Sequence, residues 1–479
     1  MDLAQFPPAL RPRLIHFAQL VEQGAKRMSA GDYLSCKSYY REAAQLCPEA
    51  WLGLATAALG AGNKAEALEK ATEAVEYART DLTRAAALNC VGNILTRMNR
   101  RGEALQFFKQ SYQLAPRRPD APANIGTVLK WSGQLDAAIN WFTRALNVEP
   151  RCTPAAFGRA LAYLLKGDLI RGFQEYENRW RNPLANCRKL DLGCPEWHGQ
   201  NLNGKTICLY SEQGAGDTIQ MLRYFPLVKA RGGKIIFASA QGLRRLVEPL
   251  GWCEAIVEEE HLIPRCDYSL PIMSLPRVFA TTLDTIPPAP YLPCPRPAPR
   301  APRPLKIGLA WAGSPDHVDD KLRSIPLSEF APLFAPSRLS RASYLSLQVG
   351  PGRMDLLTED FPIADVGAVL SDFYDTAASM AELDLLITVD TSVAHIAGAL
   401  GVRTWLLLPL APDWRWMLTR SDSPWYPSIT LYRQTVEGDW SAVMARVAAD
   451  LALAMTDQPS FSATNSLPRQ CPPVFAASQ

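Results

Sequence analysis

Histidine is scarce in this chain, five in 479 residues, and no group of them is spaced to hold a metal. An excess of charge of either sign is lacking too. Fifty Lys and Arg against 47 Asp and Glu leave a formal net charge of +3, and no basic run exceeds a few residues. This balance argues against a binder of nucleic acid or another polyanion. No apolar stretch approaches the roughly 18 residues needed to span a bilayer. The N-terminal MDLAQFPPALRPRLIHF has no basic segment leading into an apolar one, so no secretory signal is expected. A Cys-x-x-Cys pair is missing as well: the eleven cysteines are irregularly spaced, and the closest two are Cys187 and Cys194. An odd number of scattered thiols fits a reducing compartment, and the cytoplasm is the expected address.

What is present starts with a repeat. A small or turn-forming residue is followed nine places later by an aromatic or Ala at Gly31/Tyr40, Gly62/Ala71, Asn99/Phe108, Gly133/Phe142 and Gly167/Tyr176. The starts step by 31, 37, 34 and 34 residues, and Pro48, Pro116 and Pro150 close repeats. Segments such as AEALEKATEAVEYA and LDAAINWFTRALNVEP have helical periodicity, with small residues where helices must approach. A 34-residue helix–turn–helix unit of this kind resembles the tetratricopeptide repeat, which implies an α-solenoid over residues 1–182 whose concave face holds a peptide or protein. The missing Pro near residue 82 marks one degenerate repeat.

Beyond Asn182 the periodicity stops, and a chain this long is too large for one core. KTICLYSE, QGAGD, TIQMLRYFPLVKARG and GKIIFAS read as strand, glycine loop, helix and strand, the alternation of a parallel α/β lobe over 183–290. Residues 287–304 contain nine prolines in eighteen positions and read as a semi-rigid connector. A second α/β lobe, 305–455, opens with LKIGLAWAG and continues through SYLSLQVG, LDLLITVD and TWLLLPL. Residues 456–479 have the composition of a disordered tail. The expected class is therefore multidomain α plus α/β: a solenoid, then two Rossmann-like lobes with a ligand cleft outside the strand C-termini.

Three loops carry candidate chemistry. Gly214, Gly216 and Asp217 follow the first strand at a helix start, where backbone N–H groups suit an anion. Ile219 stands where a dinucleotide fingerprint wants its third glycine, and the next strand ends in Ser239 rather than an acid, which disfavours NAD. Asp217 suits either a helix cap or a general base for an attacking hydroxyl. Gly313 and Ser314 form a small-residue turn, and Lys321 and Arg323 beyond it suit a departing phosphate; a solvated loop is the plain alternative. Gln348, at a strand end, suits reading a base or sugar edge. Asp390, Thr391, Ser392 and His395 open a second helix, where hydroxyls and free amides favour a diphosphate. A lone helix histidine more often pairs with a backbone group, which is the plain reading of His395, and a cap is the plain reading of Asp390. Trp414, Trp416, Trp425 and Tyr426 read as packing before base stacking.

The order GAGD, DDK-x-RS, SLQ, DT-x-x-x-H, over roughly residues 200–455, resembles the ADP-heptose:lipopolysaccharide heptosyltransferases, glycosyltransferase family 9. That resemblance implies the GT-B fold, inversion at the anomeric carbon, no metal, and a nucleotide-sugar as substrate. It implies Asp217 as base and Lys321, Asp390, Thr391 and His395 as donor contacts. Ser392 departs from the family's usual Gly, so the sugar does not carry over. Heptosyltransferases lack the repeats. The junction FQEYENRW…CPEWHGQNLNGK and the stretch PDWRWML…SPWYPS resemble repeat-fused bacterial proteins of the flagellin-glycosyltransferase kind, and the architecture resembles O-linked N-acetylglucosamine transferases. This implies a Ser or Thr hydroxyl of a flagellin-like protein as acceptor; an interaction scaffold with inactive lobes is the rival. Since no D-x-D metal motif is present, sugar transfer is expected to persist in EDTA. Loss that Mg²⁺ or Mn²⁺ restores in a nucleotide-release assay would contradict the reading.

Overall fold

A computed structural model of the chain describes residues 11–46, 50–182, 187–293, 304–315, 317, 320–335 and 341–456. Pro48, most of the proline-rich connector, Asp319 and the tail from 457 onward lie outside these residues. The chain divides into two compact units, 1–163 and 164–479.

The first unit is a run of helices: α1 (Arg11–Ser29), α2 (Tyr33–Leu46), α3 (Trp51–Gly60), α4 (Lys64–Tyr77), α5 (Asp81–Arg97), α6 (Arg101–Leu114), α7 (Asp120–Trp131), α8 (Leu135–Val148) and the start of α9 (Thr153–Lys166). Each repeat turn is built on a left-handed residue. Gly31, Gly62, Asn99 and Gly133 have φ of 74, 82, 62 and 73°, a region where Gly and Asn carry the least steric penalty. The aromatic nine places later packs where a glycine removes a side chain. An added Cβ would lie 2.8 Å from Tyr40 at Gly24, 2.5 Å from Phe108 at Gly92, and 2.7 and 2.6 Å from Phe142 at Gly126 and Gly158. Turn glycine, aromatic and helix glycine thus form one device, which makes this unit a tetratricopeptide-type array. The 37-residue step is absorbed inside a helix, for α5 has 17 residues against 12 in α7. A reciprocal Thr80/Thr83 capping box starts α5 where proline is missing.

The second unit starts at Leu164, within α9, and continues with α10 (Leu169–Tyr176), so the repeat pattern, read to residue 182, runs past the end of the first unit. The Gly167/Tyr176 pair belongs to the α/β part, where Phe173 packs edge-on against Trp414 at 5.4 Å. Four parallel strands follow, β1 (Thr206–Tyr210), β2 (Lys234–Ala238), β3 (Cys253–Val257) and β4 (Tyr268–Pro271), in the order β3-β2-β1-β4. A second parallel sheet has β5 (Leu305–Ala310), β6 (Ala342–Ser346), β7 (Ile363–Asp365), β8 (Leu385–Val389), β9 (Thr404–Leu408) and β10 (Ile429–Arg433), ordered β10-β9-β8-β5-β6-β7. Strands β8 and β9 are buried throughout, as the apolar runs LLITV and TWLLL require in a sheet covered on both faces. The helix read as continuous after β1 is broken. Between α11 (Ala215–Met221) and α12 (Phe225–Ala230) lies a 3₁₀ turn, because Pro226 cannot donate within a helix and starts a new one. Further helices used below are α13 (Phe373–Met380), α14 (Ser392–Leu400) and α15 (Ser441–Thr456).

Phe142, fully buried between two glycine-bearing helices, is the test of the repeat device. Phe142→Ala is expected to destabilise the first unit by roughly 3–5 kcal/mol, seen as an earlier helical transition in urea followed by far-UV circular dichroism.

Candidate functional site

The C-terminal ends of β1 and β8 launch α11 and α14, and the two helices meet. Gly216 makes the contact possible: a Cβ there would lie 2.8 Å from the His395 ring and 3.4 Å from Ser392 Cα. Its role is close approach of two helices. Gly214 also differs from the expected anion cradle, because its N–H is already donated to Asp217 Oδ2 at 3.0 Å. Asp217 is therefore a cap in this state, and its other oxygen is occupied too, since Oδ1 is paired with Arg415.

Arg415 was not singled out from the sequence, although its stretch PDWRWML was. Its guanidinium is buried, donates Nε to Gln220 Oε1 at 2.6 Å and Nη1 to Asp413 at 2.8 Å, and lies 4.2 Å from the Trp414 ring centre. Two carboxylates facing one buried cation hold it firmly charged. Burial pushes Asp217 above the usual carboxylate range, with Arg415 opposing. Burial and the neighbouring Asp413 carboxylate push Asp390 up to about 6, against Trp416, Arg323 and Arg415.

Thr391 caps α14 by position but makes no side-chain capping bond, and its buried Oγ1 has no partner. One more buried polar atom nearby is also unpartnered, Gln220 Nε2 on α11, while the indole of Trp416, whose ring lies 5.6 Å from that of His395, faces Asp390. Buried polar groups are nearly always satisfied, so Thr391 Oγ1 and Gln220 Nε2, both able to donate, are groups here that the fold itself leaves unmet. Ser392 is the first residue of α14. His395 is buried, with Nδ1 2.9 Å from the Tyr426 hydroxyl. Burial, then Arg415, Arg223 and Arg323, push its pKa well down, so it is a neutral imidazole. The backbone just beyond is strained: Met417 sits at φ 55°, ψ −165°, held by Arg433, which donates Nη1 to the Met417 carbonyl at 2.9 Å. Non-glycine residues in such a region cost about 1–3 kcal/mol and gather at functional sites.

Other candidates fare differently. Gln348 is spent on structure: Oε1 accepts from Trp311 and Ala312 N–H at 3.0 and 2.9 Å, and Nε2 donates to the Ala312 and Val349 carbonyls at 3.0 and 2.8 Å. With all four bonds made, it has nothing left to read a base or sugar. The Gly313 N–H is likewise taken by Ser324 Oγ at 2.9 Å, while Ser314 is exposed. Arg323 folds over Gly313, where a Cβ would lie 2.7 Å from its guanidinium, and stands 3.5 Å from Asp320. Lys321 is exposed and makes no hydrogen bond or ion pair among the described residues. Trp414, Trp416, Trp425 and Tyr426 are all buried, consistent with packing. Arg223 lies beneath them, donating to the Trp425 carbonyl at 2.9 Å and the Pro287 carbonyl at 3.2 Å.

No protein-family model matches the chain. Protein FlbA of Caulobacter vibrioides is similar, 26% identical over 440 residues, which cover 82% of this chain and 72% of FlbA. Among solved structures, MamA is 22% identical and matches 32% of this chain and 91% of its own, with a TM-score of 0.28. The tetratricopeptide protein TTC0263 of Thermus thermophilus is 21% identical over 35% of this chain and 91% of its own, with a TM-score of 0.31. The repeat character of the first unit rests instead on its own turn and glycine geometry. No described helix is long and apolar enough to cross a membrane.

His395 gives the site a pH signature. Its folded pKa is depressed, so the stability it confers is present above the unfolded value of about 6.5 and is lost as pH falls below it. Asp390 has the opposite sign, since its raised pKa makes stability fall as pH rises from about 4 to about 6. Between pH 7 and 5.5, His395→Gln is expected to gain about 1 kcal/mol relative to the parent chain in urea midpoints. A constant difference would mean that the imidazole protonates freely in the fold.

Proposed function

We propose that the chain is a metal-independent, inverting glycosyltransferase of GT-B architecture, moving a sugar from a nucleotide-sugar to a Ser or Thr hydroxyl of a protein, flagellin-like in kind, held by its tetratricopeptide repeats in the bacterial cytoplasm. One observation carries this reading: the unpartnered Thr391 and Gln220 groups, with Arg415 and Arg323, where α11 meets α14. A diphosphate supplies what they lack, namely oxygens in number and negative charge at a helix start.

The chemistry follows from the Arg415–Asp217 pair. An Asp held by a guanidinium is a poor base. Donor phosphates compete for Arg415, and as it turns to them Asp217 is released. The acceptor hydroxyl then attacks the anomeric carbon, its proton passes to Asp217, and the bond to the diphosphate oxygen breaks, with Arg415, Arg323 and Lys321 stabilising the departing charge. Neutral His395 contributes as a hydrogen-bonding group.

A second reading, an interaction scaffold without catalysis, is favoured by the closeness of α11 to α14 and by the engaged state of Asp217. A panel of nucleoside diphosphates and their sugars, titrated by calorimetry into the full chain, separates the two. One diphosphate should bind, and Thr391→Ala should weaken it by about 1–3 kcal/mol. Asp217→Asn should keep binding while nucleotide release falls on the order of 100-fold. If no nucleotide binds or is released, the scaffold reading stands.

A further inference from the structure

Away from the α11–α14 contact, the first sheet carries a group of thiols. Cys194 belongs to the segment 187–199 that leads into β1. Leu190 and Leu192 of that segment pack with Cys208 of β1 and with Cys266, two residues before β4. Across this cluster the Cys194 and Cys266 Sγ atoms lie 3.5 Å apart, although 72 residues separate them in sequence. A disulfide needs about 2.05 Å, so roughly 1.5 Å remains to close, within reach of side-chain rotation.

Neither thiol hangs on a free loop. Beside Cys194, the Ser269 N–H donates to the Pro195 carbonyl and the Trp197 N–H to the Ser269 carbonyl, both at 3.0 Å. Beside Cys266, the Asp267 N–H donates to the Thr206 carbonyl at 3.1 Å, and Asp267 Oδ2 accepts the Thr206 N–H at 2.8 Å. Glu196 adds ion pairs to Lys189 at 2.5 Å and Arg277 at 2.8 Å. Both backbones are thus pinned with the sulfurs facing. The two thiols differ in reach: Cys194 is half-buried, Cys266 buried. Burial, then Cys194 itself, push Cys266 up to about 11, so it is protonated at neutral pH and not the first to react. Core filling is the ordinary role of a buried cysteine and accounts for Cys208. It requires no sulfur–sulfur contact with one member near solvent.

We propose that Cys194 and Cys266 are a site of reversible oxidation by hydroperoxides, forming a disulfide that fastens the segment before β1 to the β4 side of the first sheet. Hydrogen peroxide transfers one oxygen to the Cys194 sulfur, giving a sulfenic acid and one water as the O–O bond breaks. The Cys266 sulfur then attacks the Cys194 sulfur, the S–S bond forms, and the sulfenic oxygen leaves with the Cys266 proton as a second water. Two thiols are oxidised and one peroxide is reduced. A dithiol reverses the bond by exchange. In a reducing compartment such bonds are transient and sense oxidant. The closed loop contains β1, α11 with Asp217, β2 and β3, so oxidation restrains the chain around the first lobe's candidate residues. Sulfur geometry carries this site, independently of the transferase reading.

The test treats the full, reduced chain with hydrogen peroxide, blocks remaining thiols with N-ethylmaleimide, and maps peptides by mass spectrometry without reduction. A Cys194–Cys266 peptide pair two hydrogens lighter than its parts is expected, returning to two thiols in dithiothreitol. Half-buried Cys253 serves as the control and should stay a thiol. The pair should dominate only in the folded chain; in urea it should fall to the level of any other cysteine pair. Cys194→Ala, at a half-buried position, should abolish the cross-link, whereas Cys208→Ala should leave it intact. Oxidation should also raise the urea midpoint of the α/β unit by about 0.5 M or more, and Cys194→Ala should remove that rise. A Cys208–Cys266 pair instead, sulfinic acid at Cys194 without a cross-link, equal yield in the unfolded chain, or an unchanged midpoint after cross-linking would each overturn the proposal.

Discussion

The arrangement of the α/β unit depends on one buried guanidinium. Arg415 reaches from the second sheet's lobe to α11 of the first, engaging Asp217 and Gln220 while held at its root by Asp413 and Trp414. Moving such charges out of water is costly, and the cost is recovered only when every arm finds a partner. Losing one partner leaves an uncompensated charge, so the geometry of both loops is specified together. The same residue sets the electrostatics around it: it depresses His395 and opposes the upward pressure of burial on Asp217 and Asp390.

Glycine does the complementary work in both units. In the repeats it makes room for Tyr40, Phe108 and Phe142; in the α/β unit Gly216 lets α11 reach α14, and Gly398 accommodates the Tyr426 ring, with a Cβ position 2.4 Å away. Close packing leaves no slack at these points. Tyr426 in turn meets His395, so the absence of a side chain at Gly398 is felt at the helix that starts with Ser392.

Much of the fold was legible in the sequence because it rests on local rules. Gly31, Gly62, Asn99 and Gly133 announce left-handed turns, and the apolar runs before Thr391 and after Gly401 announce buried parallel strands. What local rules could not give was pairing at a distance. Short strands such as CEAIV and YSLP carry little pattern of their own and exist because β2 and β1 offer them edges. Gln348 looked like a reader because a strand end exposes side chains, yet the loop after β5 consumes its amide. Arg415 was hidden for the same reason, its partner Asp217 lying 198 residues away. Glu212, beside the glycine loop, carries no local sign of its buried ion pair, because Arg179 lies 33 residues away.

The contrast in contact range between the two units has a consequence for how the chain is made. Repeat contacts join neighbours a few tens of residues apart, so each helix pair can form soon after it is synthesised, as low contact order allows. The parallel sheets cannot. Ile207 must wait for Tyr268, and Ile307 for Leu385, before their ladders close. Arg415 is among the last groups to arrive. During synthesis, which proceeds N-terminus first, the array of repeats is therefore complete while the first sheet still exposes unpaired edges.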